Sequence, residues 1–131
     1  MIERVVHPYN LQKALEQVIS NKGSAGVDGI KTSQVKTLFP QVKPQLLEAI
    51  RQGNYQPQAI LGVEIPKGNG KTRLLGVPTT TDRVLQQAVS QVIAPLFEPE
   101  FSSNSFGFRP NKNARQAVGQ ARDYIHQELN Y

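Results

Sequence analysis

The sequence predicts an α+β fold in which helices surround a single β-hairpin. Three observations carry that expectation. Apolar residues recur at helical spacing over residues 11–19 and again over 85–96. The period drops to two at Ala59–Ile65, where Leu61, Val63 and Ile65 share one face. Between that run and a second one at Thr72–Val77 lies Pro66-Lys67-Gly68-Asn69-Gly70-Lys71, a segment dense in turn formers. A chain of 131 residues suits one compact core. The elements divide it into a helical segment over 1–58, with an exposed loop at 23–31, and a hairpin with two helices over 59–131.

Taken in order, Asn10 is placed to cap a helix whose inward face is Leu11, Ala14, Leu15, Val18 and Ile19. Asn21-Lys22-Gly23 ends it, with Gly23 free to adopt the left-handed conformation. Gly23 to Gly29 is polar and Gly-rich, and reads as an exposed loop. Thr32 or Ser33 opens a short helix carrying Val35, Leu38 and Phe39. Pro40 and Pro44 end that helix and begin another, with Leu46, Leu47 and Ile50 inward and Gly53 as its stop. After the hairpin, Pro78 closes the second strand and Thr79-Thr80-Thr81-Asp82 supplies caps for a helix with Leu85, Ala88, Val89, Val92, Ile93 and Leu96 inward. Pro95 should kink or end it. Phe101 to Pro110 is a loop. Asn111 or Asn113 starts a last helix, with Ala114, Ala117, Val118, Ala121 and Ile125 inward, running almost to Tyr131.

Composition narrows the chemistry. The absence of Cys excludes disulfides, thiolate zinc sites and Cys nucleophiles. His7 and His126 lie at opposite ends, so a His-based triad or metal site has little to draw on. No apolar run is long enough for a membrane span, and Met1-Ile2-Glu3-Arg4 lacks a signal peptide's apolar core, so the expectation is a cytoplasmic protein without a membrane partner. The formal net charge is +5. The surplus concentrates in residues 67–115, where Lys67, Lys71, Arg73, Arg83, Arg109, Lys112 and Arg115 face only Asp82, Glu98 and Glu100. Such a surplus suits a polyanion or a solvated basic surface.

Gly70-Lys71-Thr72 is not a phosphate loop, because Ile65 stands where that motif needs Gly and a strand follows instead of a helix. The hairpin itself is the better candidate. A register symmetric about Gly70 sets Lys67 opposite Arg73, and like charges so placed repel. A bound anion reverses the sign, whereas a solvent-facing pair is merely screened. Phe106-Gly107-Phe108-Arg109-Pro110 interleaves aromatics with a cation, as suits base stacking beside a phosphate, or two core Phe flanking a loop Arg. Asp28, Asp82 and Asp123 are scattered, and Asp82 reads as a helix-start residue.

Ile65-Pro66-Lys67-Gly68-Asn69-Gly70-Lys71-Thr72-Arg73-Leu74-Leu75-Gly76-Val77-Pro78, with Asp82-Arg83-Val84-Leu85-Gln86, closely resembles the first motif block of bacterial group II intron-encoded reverse transcriptases. Phe97-Glu98-Pro99-Glu100-Phe101 and Ser105-Phe106-Gly107-Phe108-Arg109-Pro110 resemble the second, and Gly26-Val27-Asp28-Gly29 resembles the family's N-terminal extension. Leu74 departs from the family's usual Pro. The resemblance implies the fingers of a right-hand polymerase. It implies that Lys67 and Arg73 hold the triphosphate of an incoming dNTP, and that Gly76, Val77 and Pro78 pack near the templating base. Phe108 and Arg109 would lie near the template, and the 23–30 loop, with Gly26 and Asp28, would form a lid over it. The metal-binding aspartates belong to later blocks, so this fragment would bind no cofactor and catalyse nothing alone, while its full-length parent uses Mg²⁺. Implied partners are template and intron RNA, an RNA/DNA primer duplex and dNTP. Truncation at Tyr131 would expose the last helix and favour a homodimer. Two other readings stand beside this one: a splicing maturase without polymerase activity, and a stand-alone RNA-binding module.

Overall fold

The computed structural model describes residues 1–127. Five α-helices, one 3₁₀ turn and a two-stranded antiparallel sheet occur among them, so the fold is α+β. The order is α1 (Ile2–Val5), α2 (Pro8–Asn21), α3 (Thr32–Arg51), β1 (Leu61–Gly68), β2 (Lys71–Val77), α4 (Thr80–Phe97), a 3₁₀ turn (Glu98–Glu100) and α5 (Ala114–His126). The chain divides into two compact units, Met1–Ile93 and the segment from Ala94. The expected extension of the last helix toward Tyr131 lies outside the described residues.

The core of the first unit is the meeting of α2, α3 and α4. Leu11, Ala14, Leu15 and Val18 of α2 bury against Val35 and Phe39 of α3 and Val84, Leu85 and Ala88 of α4. Val6 closes one end, and Leu46, Leu47 and Ile50 extend the contact along α3. Burial of such side chains is the main force holding the three helices together, at about 1.5–3 kcal/mol for each large one.

Several elements differ from expectation. α2 begins at Pro8, not after Asn10: His7 caps it, its Nδ1 accepting from the Tyr9 N–H at 3.2 Å, with Pro8 at the first helical position. Asn10 instead ties elements together. Its side chain donates to the Val5 and Ala88 carbonyls at 2.8 and 3.1 Å and accepts from Gln91 at 2.9 Å. Lys22, not Gly23, takes the left-handed conformation at the helix end. The two helices expected across residues 32–53 are one, α3, with Pro40 and Pro44 inside it. Both prolines are exposed, so the carbonyls they leave without a helical donor face water, while Val35, Phe39 and Leu46 hold both halves on one core.

On α4, Val89 and Leu96 are exposed, and the buried face is Val84, Leu85, Ala88 and Val92. Pro95 sits inside the helix, in its final turn. α5 starts where expected, with the Asn113 side chain accepting from the Gln116 N–H at 2.8 Å. Its supposed inward face is not buried, however. Val118 and Ile125 are about 70% exposed, and no residue of α5 is buried.

Candidate nucleic-acid interface

The hairpin turns at Asn69-Gly70, where φ is +56° and +72°. Two consecutive positive φ values in a two-residue loop define the type I′ turn that matches the twist of paired strands. Gly68 pairs with Lys71, Pro66 with Thr72, Ile65 with Arg73 and Val63 with Leu75, with an irregularity between Pro66 and Gly68. Lys67 therefore falls in a bulge and has no partner across the ladder. The expected Lys67–Arg73 pairing is wrong by two residues: Arg73 faces Ile65, so the two like charges are not directly opposed across the strands. Both cations remain at the free end of the hairpin. All residues from Leu61 to Gly76 are exposed, and Lys67, Lys71 and Arg73 enter no salt bridge among the described residues.

At the other end of β2, Gly76 pairs with Gly62. A side chain at Gly76 would meet the Ile60 γ-methyl at 2.9 Å, so the close approach of Ile60 at this strand end needs glycine or a shift of that side chain. Val77 and Pro78 are partly buried, and Thr79 and Thr80 fully so. Thr79 caps α4, its hydroxyl accepting from the Asp82 N–H at 3.2 Å. Asp82 stands in the first turn of the helix, as expected, and is buried. It accepts from the Tyr55 hydroxyl and from the Gln58 N–H, the latter at 2.9 Å. Burial first, and then the hydrogen bond to Asp82, hold the Tyr55 phenol well above its ordinary value of 10.0. This carboxylate anchors the chain that leads into β1.

The 23–30 loop is not free of the fold. Gly26 is buried, and a Cβ there would lie 2.8 Å from the backbone of Thr79 and 2.9 Å from the Pro78 carbonyl. Only a glycine permits that approach. The Arg83 Nε donates to the Pro78 carbonyl at 3.1 Å, and its Nη2 donates to the Ser24 carbonyl. The Thr80 hydroxyl donates to the Ile30 carbonyl at 3.3 Å. Asp28 is exposed, and its carboxylate accepts from the Ile30 N–H at 3.1 Å, closing a turn within the loop. Two of the sequence-predicted groups, Gly26 and Pro78, are thus brought together. Arg83 is a contact that the sequence does not single out. It stands inside the first motif block, but nothing local marks a cation one of whose partners, the Ser24 carbonyl, lies 59 positions upstream.

Within the second unit, Arg109 organises its own loop. Its guanidinium meets Glu98 Oε1 at 2.9 and 3.0 Å and donates to the Ser102 and Ser105 carbonyls at 2.8 and 2.6 Å. It also lies 5.4 Å from the centre of the Phe101 ring. Lys112 stands over Phe106 at 5.6 Å. Phe108 is the opposite case: fully exposed, and at φ +55°, a conformation that bulky residues seldom adopt. The motif divides into an engaged cation and a bare ring. Among the described residues no three His, Asp or Glu side chains converge on a metal site, and no helix is long and apolar enough to cross a membrane.

A basic hairpin tip, a buried glycine contact at the strand end and a loop held against it are what this α+β segment brings together. No protein-family model matches the chain. It is 32% identical over 120 residues to protein YkfC of Escherichia coli, covering 90% of this chain and 32% of that protein. It is 33% identical over 106 residues to the group II intron-encoded protein LtrA of Lactococcus lactis, covering 80% of this chain and 18% of LtrA. The putative COX1/OXI3 intron 2 protein of Saccharomyces cerevisiae is 28% identical over 126 residues, 95% of this chain and 14% of that protein. The chain spans about a third or less of the length of these curated relatives. It is related to a segment of group II intron-encoded proteins.

Proposed function

We propose that this chain is the N-terminal fingers segment of an RNA-directed DNA polymerase encoded by a group II intron. In this reading Lys67 and Arg73 bind the triphosphate of the incoming nucleotide, and Gly76, Val77 and Pro78, with the 23–30 loop, support the template. The supporting observation is the hairpin tip: cations exposed beside the Asn69-Gly70 turn, outside any described ion pair. Arg supplies a bidentate fork to phosphate, and the bulged Lys67 a point charge. Phe108 offers a bare ring for stacking, while Arg109 shapes the loop that presents it. Mg²⁺ and its carboxylate ligands belong to the longer protein, and the exposed apolar residues of α5 to the surface that meets its remaining domains.

The test is Arg73→Ala in the longer protein. Loss of a charge-assisted bond of about 1.5–3 kcal/mol should raise the nucleotide KM or lower kcat/KM by about tenfold to a hundredfold, and Lys should rescue poorly. Unchanged kinetics would sink the triphosphate assignment. If polymerisation is undetectable in the wild type while intron RNA still binds, the maturase reading replaces it.

A further inference from the structure

Two side chains at the start of α4 hold the 23–30 loop from outside it, Thr80 at the Ile30 carbonyl and Arg83 at the Ser24 carbonyl, and Arg83 also reaches the turn between β2 and α4. It rises from the first turn and a half of α4, where its backbone N–H bonds the Thr79 carbonyl at 2.9 Å. Its side chain reaches back to the Pro78 carbonyl and across to the Ser24 carbonyl. Gly23 lies flat against the same guanidinium: a Cβ there would sit 2.6 Å from Nη1. No carboxylate pairs with Arg83 among the described residues; its Nε and Nη2 are spent on main-chain oxygens and its charge stays uncancelled.

We infer that Arg83 is a positioning residue, whose guanidinium clasps the 23–30 loop onto the Pro78–Thr79 turn so that loop and strand end form one preformed surface for a nucleic-acid strand. The clasp itself rests on geometry alone. Its service to nucleic acid rests on the reading proposed above. Three features make the closed arrangement specific. The fork spans two carbonyls that a single ammonium cannot hold together in the same geometry. Gly26 removes the one atom that would separate the surfaces. Thr80, buried and bonded to the Ile30 carbonyl, fixes the far end of the loop. The loop stays largely exposed, as expected from sequence, while Gly26 is buried against the junction.

The experiment compares the wild-type chain with Arg83→Lys, Arg83→Gln and Gly26→Ala. Amide hydrogen exchange reads the loop at Gly29 and Ile30, whose N–H groups bond the Gly26 carbonyl and Asp28. Core amides of α2 serve as the reference. Fluorescence anisotropy with a mixed-sequence single-stranded RNA at low salt reads binding. Both Arg83 variants should speed loop exchange by about tenfold or more, as loss of a hydrogen bond to a charged group implies, while α2 exchange is unchanged and RNA affinity falls. Gly26→Ala should do the same with Arg83 intact, which keeps the test open if the arginine variants fold poorly. Loop exchange equal to wild type in Arg83→Lys and in Gly26→Ala would overturn the clasp. Faster loop exchange with undiminished RNA affinity would overturn its role in presenting the junction. A wild-type chain that binds no RNA at all would instead remove the nucleic-acid reading.

Discussion

Asp82 shows what a single buried carboxylate does in this fold. Placed near a helix N-terminus it meets the positive end of the dipole, and that much follows from its place after three threonines. Its partners, Tyr55 and Gln58, lie 27 and 24 positions upstream, and no local pattern announces them. The consequence is a pH dependence with a definite sign. The folded state keeps the Tyr55 phenol neutral, with its pKa raised above the ordinary 10.0, first by burial and then by Asp82. The contribution is therefore complete below pH 10 and declines above it, because the unfolded chain ionises first. The thermal midpoint should fall more steeply above pH 10 in the wild type than in Tyr55→Phe, although the variant starts lower, by about 1–3 kcal/mol, for the lost bond to a buried charge. Parallel alkaline slopes would remove Tyr55 from this account. Arg83 and Arg109 follow a second pattern, each fixing a loop through main-chain carbonyls. Sequence reading marked Arg109 by its aromatic neighbours and passed over Arg83, whose neighbours give no such sign.

Among the elements, periodicity finds α2, α4, α5 and both strands, because each carries one dominant period. It failed where two rules compete. In α3, proline as a helix breaker argued for two helices, yet apolar spacing continued through both prolines and packing prevailed. In the hairpin, six turn-forming residues concealed a two-residue turn. The Asn69-Gly70 dipeptide is the signal that would have found it, since type I′ needs positive φ at both positions. Centring on Gly70 instead moves the register by one residue and the bulge at Lys67 by a second, so Arg73 is paired with the wrong neighbour. On α5 the apolar spacing is genuine but nothing among the described residues buries it, so spacing alone does not imply burial. The turn is open to a direct test. Gly70→Ala forces a Cβ into φ +72°, at a cost of about 1–2 kcal/mol. Because the hairpin is exposed from Leu61 to Gly76, the effect should appear as faster amide exchange in β1 and β2, with the midpoint of the α2–α3–α4 core hardly moved. A core midpoint that drops in step with the hairpin would show that the two fold as one cooperative unit.

At the scale of the whole molecule the informative quantity is where the charge lies. A net charge of +5 is modest, but the register places Lys71 beside the turn, Lys67 in the bulge and Arg73 two pairs further along, on one exposed tip. Arg109, by contrast, spends its charge on Glu98, and Arg83 is occupied with carbonyls. Of the cations concentrated between residues 67 and 115, those on the hairpin are the best placed to displace counterions from a polyanion. Three phosphate contacts on single-stranded RNA imply that the logarithm of affinity falls with the logarithm of salt concentration at a slope of about −2. Arg73→Gln should reduce the magnitude of that slope by about 0.7, as one fewer contact requires, and Lys67→Gln should do the same. Arg122→Gln on α5, where the arginine lies 4.0 Å from Asp123, should leave the slope unaltered. A slope that responds to Arg122 and not to the hairpin would move the interface to α5. Binding independent of salt would mean that the basic surplus is only a solvated surface.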